Sequence, residues 1–334
     1  MKQGIRLGIA VFIALAAIIL AVLFLSNSPL YSLERLLMGP LSSPLALGNL
    51  LSDTALLCFT ALGAALALQA GMFNLGGEGQ ALAGGITVAA VAAYLPPMSP
   101  IITVVFVLLL SFSVGALLGG ISGGLKAFLN VDEMISSFLI STALLPLGAV
   151  TLTTWLNDPE SSLIATRDFP SPFHLPQWLP PSRFGPSFLI ALGFILLASL
   201  FIFRSWKGYE WRIHGLNPNF ARYGGIHTGR ISVNSMAISG ALHATAGAWA
   251  VLERQQAIQG FSSGLGWDGL AVALLVSSRP QWIPIASLAY AYLHHGTESA
   301  LISGGVSSSL STFLPALVFL LVTIRYSKGR KNGR

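Results

Sequence analysis

The stretch RSWKGYEWRIHGLNPNFARYGGIHTGR, Arg204 to Arg230, holds five of the eighteen Lys and Arg residues of the chain and lies between two apolar runs. Elsewhere polarity is scarce. Charged residues make up 9% of the 334 residues and hydrophobic ones 54%, with a mean hydropathy of +0.73, whereas a soluble domain is about one quarter charged. Such a chain cannot cover its surface with polar groups. Apolar runs near the length that crosses about 30 Å of hydrocarbon recur on both sides of the polar stretch, so lipid replaces water as the main solvent. The composition therefore predicts an all-α polytopic membrane protein, in which Arg204 to Arg230 is a docking loop between spans.

Working outward, ten candidate spans emerge: Leu7 to Leu25, Thr54 to Ala70, Gln80 to Tyr94, Ile101 to Leu118, Met134 to Leu152, Phe188 to Phe203, Ile231 to Val251, Trp267 to Val276, Trp282 to Leu293 and Leu310 to Ile324. The eighth and ninth are too short to cross alone and read as re-entrant or protein-buried segments. The first follows Lys2 and Arg6, has no small-residue cleavage site after it and is taken as a retained span. Counting alternate crossings puts fourteen of the eighteen basic residues on one side, leaving Arg35, Arg167, Arg183 and Arg254 on the other. By the positive-inside rule both termini are then cytoplasmic, as is the 204–230 loop, and the Pro- and aromatic-rich 155–187 segment is an external loop. Topology thus accounts for the +6 formal charge without nucleic acid. Trp206, Tyr209 and Trp211 read as interfacial anchors. Cys58 is alone, so no disulfide framework is available.

Within the polar loop, Asn217-Pro218 reads as an N-cap followed by proline at the first helical position, with Gly224-Gly225 as the stop. A helix of about two turns is unstable alone in water and must be held by packing, most economically against a partner protein. A second polar island, Gly71-Met72-Phe73-Asn74-Leu75-Gly76-Gly77-Glu78-Gly79-Gln80, puts glycines and polar side chains between two apolar runs. Unwound backbone at membrane depth must face protein or a water-filled cavity, so one reading is the lining of a solute path. The other is a tight cytoplasmic turn with Glu78 as a cap. Gly77-Glu78-Gly79-Gln80-Ala81-Leu82-Ala83 is echoed by Trp267-Asp268-Gly269-Leu270-Ala271-Val272-Ala273. The echo suits an inverted repeat with discontinuous helices, or is coincidence in a Gly- and Ala-rich chain.

Asp268 is a candidate intramembrane acid, whereas Asp53 and Glu298 are expected in the headgroup layer. His243, among small residues, reads as a hydrogen-bonded packing histidine. His294-His295 lacks metalloprotease spacing, so no metal site is expected. No GxxxxGK[ST] phosphate loop occurs, so nucleotide hydrolysis is expected on another chain. Two rival classes are a transporter coupled to protons through Glu78 and Asp268, and an intramembrane hydrolase near His243 or His294. The second lacks any motif of suitable spacing.

From about Leu50 to Ile324 the chain resembles the permease subunits of bacterial ATP-binding-cassette importers, in the branch of simple-sugar and nucleoside permeases related to branched-chain amino acid permeases. Three blocks carry the resemblance: Gly71 to Gln80, close to that family's G-x-F-N-I-G-x-E-G-Q; Leu125-Lys126-Ala127 through Val131-Asp132-Glu133-Met134-Ile135; and Gly215-Leu216-Asn217-Pro218 through Ala221-Arg222-Tyr223-Gly224-Gly225-Ile226. Ser136 to Leu144 departs from it by lacking the usual Asn, as do Arg279-Pro280-Gln281-Trp282 and His294-His295. The resemblance implies a single type II importer-like permease domain in the bacterial inner membrane. It also implies a second permease, identical or related, a cytoplasmic ATPase carrying the ATP and Mg, and an external binding lipoprotein. Its solute would be a nucleoside, with a sugar or a riboflavin-like vitamin as alternatives. Phe73, Asn74, Glu78, Gln80, Trp267 and Asp268 are then candidate pathway residues. Gly215, Asn217, Pro218, Ala221, Arg222, Gly224, Gly225 and Ile226 are candidate ATPase-coupling residues.

Overall fold

Proline sets many of the helix starts, because its missing N–H is unneeded in a first turn. It opens α1 (Pro29–Met38), α2 (Pro44–Gln69), α4 (Pro100–Leu129) and α8 (Pro218–Tyr223). Side-chain caps add to this: Ser43 accepts from the Ala46 amide at 3.1 Å ahead of α2, and Asp132 accepts from the Met134 and Ile135 amides ahead of α5 (Glu133–Val150). The remaining helices are α3 (Gly77–Tyr94), α6 (Ser187–Arg204), α7 (Trp206–Leu216), α9 (Thr228–Arg254), α10 (Leu265–Leu275) and α11 (Ile283–Gly304). The computed structural model describes residues 28–304 apart from Pro97, together with Ala16, Ile19 and Leu20. Among the described residues there is no β-strand, only one isolated antiparallel bridge between Ala165 and Ile258. The expected end spans, Leu310 to Ile324 and all of Leu7 to Leu25 but those three residues, lie outside the described residues.

Five of the described helices are long and apolar enough to cross a membrane: α2, α4, α5 with its extension to Trp155, α6 and α9. The chain is a multi-pass helical membrane protein. These spans divide by composition into an inner and an outer set. The most apolar window is 89% buried in α2 and α9 but only 22% in α4 and 28% in α5 and α6, so the last three turn most of their surface away from the rest of the chain. Small residues let the inner set close up. A Cβ on Gly119 would lie 2.1 Å from the Met236 carbonyl oxygen, and one on Gly247 would lie 1.8 Å from that of Ala81. Glycine thus permits the backbone contacts of α9 with α4 and α3, as small residues do between membrane helices generally.

The two polar loops occupy opposite ends of α2, a helix of 26 residues and hence about 39 Å long. At its start, Arg183 of the 155–187 loop donates to Asn49 and lies 3.4 Å from the Asp53 carboxylate, whose other oxygen is 2.8 Å from His295 Nε2. At its end, His214 of the 204–230 loop meets the Ala70 carbonyl. The 155–187 segment is also more structured than its Pro-rich composition suggests. The Thr166 and Phe169 amides donate to the Ala257 and Gln255 carbonyls, pinning the loop to the segment after α9.

Three expectations need correction. The ninth segment does not stop at Leu293: α11 runs 22 residues, about 33 Å, because His295 and Thr297 find partners in Asp53 and the Leu293 carbonyl. Asp53 also belongs to a cluster with His295 and Arg183, which the sequence did not show. The 204–230 loop contains two helices, since Ser205 caps α7 by accepting from the Gly208 amide. Trp206 and Tyr209 are exposed as interfacial anchors require, but Trp211 is buried, edge-on to Phe201 at 5.2 Å.

Candidate functional site

The glycine-rich segment between α2 and α3 is where regular structure gives way inside the fold. α2 ends at Gln69, and Gly71 adopts φ +75°, a left-handed conformation that glycine reaches without steric cost. Residues 72–76 then run without helix. Their course is fixed by α10, which lies beside them. Gln69 Nε2 donates to the Ser278 carbonyl, just past the C-terminal end of α10, at 2.7 Å. Glu78 meets the N-terminal end of the same helix, accepting from the Gly264 amide at 3.2 Å and the Gly266 amide at 3.0 Å. The segment therefore travels about the length of an eleven-residue helix, roughly 16 Å. It is an extended bend and not a tight turn.

Inside the bend the polar side chains satisfy one another. Asn74 Nδ2 donates to Gln80 Oε1 and to Ser239 Oγ of α9, both at 2.9 Å, while Asn74 Oδ1 accepts from the Gly76 amide at 2.8 Å. Two amides freed by the missing helix turn are taken up by α5: Leu75 N–H donates to Ser137 Oγ at 3.0 Å and Gly79 N–H to Ser141 Oγ at 2.8 Å. This is the internal satisfaction that irregular backbone in a membrane requires. His243 packs behind, with Nδ1 2.7 Å from the Ser239 carbonyl, and a Cβ on Gly77 would lie 2.6 Å from its ring.

Of the pathway candidates, Asn74, Glu78 and Gln80 are buried and hydrogen-bonded as the inner frame of the bend, and Phe73 is half-buried. Trp267 is 40% exposed at the start of α10. Asp268 accepts from the Tyr290 hydroxyl at 2.5 Å. The echoed acids thus do different work, since Glu78 binds the backbone of the other segment's helix and Asp268 binds a side chain of α11. Ser137, Ser141, Ser239, Gly264 and Gly266 complete the frame and were not singled out from sequence. The available signal was the pair Ser137 and Ser141, spaced one helical turn apart in a mostly apolar run that also holds Ser136 and Thr142. Asn74→Ala is expected to lower uptake while leaving the subunit assembled, because it removes three hydrogen bonds worth about 1 kcal/mol each. Solute uptake beside co-purification of the partner chains checks this.

The coupling candidates form the second part of the site. Asn217 Oδ1 accepts from the Asn219 and Phe220 amides at 3.0 and 3.1 Å, and Pro218 opens α8, which Gly224 and Gly225 (φ +80°) end. Ala221 is buried against the fold, whereas Leu216, Phe220 and Tyr223 are 82%, 63% and 92% exposed and Arg222 is exposed beside them. α8 is an apolar and basic knob whose exposed face none of the described residues covers.

The sequence pattern of the family described as "Branched-chain amino acid transport system / permease component" matches residues 46–323. The chain belongs to that permease family. Three of its relatives are permeases by name. A "Probable riboflavin import permease protein RfuC" of Treponema pallidum is 33% identical over 98% of this chain and 87% of its own. A "Nucleoside ABC transporter permease protein NupB" of Lactococcus lactis subsp. cremoris is 26% identical over 90% and 85%. A "Guanosine ABC transporter permease protein NupP" of Bacillus subtilis is 29% identical over 96% and 92%. This permease is therefore a transporter component, the membrane subunit of an ATP-binding-cassette importer, and its family implies an ATPase and a substrate-binding protein as associates.

Proposed function

We propose that this permease carries a nucleoside or a riboflavin-like solute into the cytoplasm along the Gly71–Gln80 bend and the start of α10, driven by an ATPase docked on α8. The observation that carries the reading is the exposed α8 at the end of α2 opposite the 155–187 loop. A six-residue helix this apolar needs a cover, and its end of the molecule carries the basic loop that belongs in the cytoplasm. The inner membrane is the expected location, with the 155–187 loop external and facing a binding lipoprotein, and with a second permease completing the path. The solute class rests on the relatives' names and on Trp267, an exposed indole that offers a stacking face to a planar ring. Glu78 acts as a structural cap and not as a proton carrier, since both its oxygens are held by amides.

Arg222→Glu combined with Gly225→Pro tests the docking role. Proline cannot adopt φ +80° and removes the Gly225 N–H that donates to the Arg222 carbonyl at 3.0 Å. The variant is expected to lose most ATPase co-purification and ATP-dependent uptake of labelled guanosine or riboflavin, with the thermal transition of the purified permease unchanged. Undiminished co-purification would remove α8 as the docking element.

A further inference from the structure

The docking knob and the bend are far apart in sequence, yet the structure joins them within a few residues. α8 follows α7 without a spacer, because Asn217 both caps α8 and closes α7 by donating its amide to the Ile213 carbonyl at 3.0 Å. α7 is itself held on the end of α6 by Trp211 against Phe201 and by Arg212 over the Phe203 ring. Its last turn then sits on the start of the bend. His214, 4% exposed, has Nδ1 2.6 Å from the Ala70 carbonyl, and because a carbonyl only accepts, that nitrogen carries the proton. A Cβ on Gly215 would lie 2.4 Å from the Gln69 carbonyl oxygen and 2.9 Å from the Gly71 nitrogen, so the two backbones touch. Burial holds the His214 imidazole below its ordinary range, with the Ala70 carbonyl and the Glu133 carboxylate acting in the opposite sense. The ring is neutral at pH 7 and keeps its single donor on Ala70.

This seat lies three residues before Pro218 and four before Asn74. The same end of α2 holds the far end of α10 through Gln69 and Ser278. A shift of α8 therefore has a short, packed route to the only unwound stretch between α2 and α3. We propose that His214 and Gly215 form the joint through which movement of α8 reaches the Gly71–Gly79 bend, with His214 as its positioning residue. The inference rests on the coupling role assigned to α8 above. A seat that served folding alone would alter the amount and stability of the complex but not the response of the bend to nucleotide.

The test uses the assembled permease and ATPase in proteoliposomes, with a reporter cysteine at half-buried Phe73 and a water-soluble maleimide as probe. Cys58, the one native cysteine, is buried. ATP with vanadate is expected to change the labelling rate in the parent by about fivefold, the worth of one net hydrogen bond. His214→Ala is expected to abolish that change while the ATPase still co-purifies, and His214→Asn, which keeps an N–H near the Nδ1 position, to restore it. If His214→Ala fails to assemble, His214→Asn and His214→Gln decide: a response in the first but not the second supports the joint, and equal behaviour overturns it. An unchanged response in an assembled His214→Ala, or no response in the parent, also overturns it. Failure of the parent to retain the ATPase would instead strike the docking role itself.

Discussion

Gly247→Ala is expected to leave little folded permease, while Gly193→Ala, the same change in another span, is expected to be harmless. The difference is one of neighbours. A Cβ at Gly247 would lie 1.8 Å from the Ala81 carbonyl oxygen and 2.5 Å from its carbon, both backbone atoms that no rotamer change can move. Restoring an ordinary contact near 3.4 Å would push α9 away from α3 by more than an ångström. That would disturb the frame in which Ser239 of α9 meets Asn74. Overpacking of this kind costs about 1–3 kcal/mol even where neighbours yield, and here they are two spans of the inner set. Gly193 of α6 has nothing within 4 Å of its would-be Cβ, and alanine there gains up to about 1 kcal/mol of helix propensity. Melting temperature in detergent and the yield of monodisperse protein compare the two. Equal behaviour would mean that the α3–α9 contact is not what holds the inner pair together.

Much of the architecture could be read from the sequence because lipid imposes simple rules. Length and hydropathy located α2 to α6 and α9 to within a few residues at most ends, and Asn217-Pro218 with Gly224-Gly225 marked both ends of α8. What escaped was decided by contacts between distant residues. α1 was missed because its ten residues, with Ser32, Glu34 and Arg35 among them, are too few for a span, and it is held by packing against α11. α11 was cut short because His295 and Glu298 look like the end of an apolar run, and nothing local shows that Asp53, 242 positions earlier, waits for His295.

The candidate site divides in the same way. The bend was visible as glycines and polar residues between spans, but two opposed readings of it, the lining of a solute path and a tight turn, have the same local sequence. What rules out the tight turn is that Gln69 and Glu78 contact opposite ends of α10, a helix almost two hundred residues away. Likewise the serines of α5 look like ordinary substitutions in an apolar run until Leu75 and Gly79 supply the amides they accept. His214 gave no signal, because a histidine in a basic loop is unremarked until a carbonyl is found against it.

Glu78→Ala is expected to abolish uptake, and for a reason other than loss of a solute contact. Both carboxylate oxygens of Glu78 accept from the first amides of α10, which have no helical partner of their own. The carboxyl group also faces the positive end of that helix dipole, which favours its ionised form. Alanine strands the buried Gly266 N–H, at a cost of about 1–3 kcal/mol, and frees the half-buried Gly264 N–H, in a place too tight to rearrange, since a Cβ on Gly266 would already lie 2.2 Å from the Glu78 nitrogen. Glu78→Gln keeps the shape and one acceptor but turns an N–H toward the second amide, so it is expected to fall between alanine and the parent. Stability is expected to track uptake through the series, and cysteines introduced in α10 are expected to become more open to maleimide in the same order. If Glu78→Gln instead keeps full stability and α10 protection but loses uptake, the carboxylate does its work on the solute, and its capping of α10 is incidental.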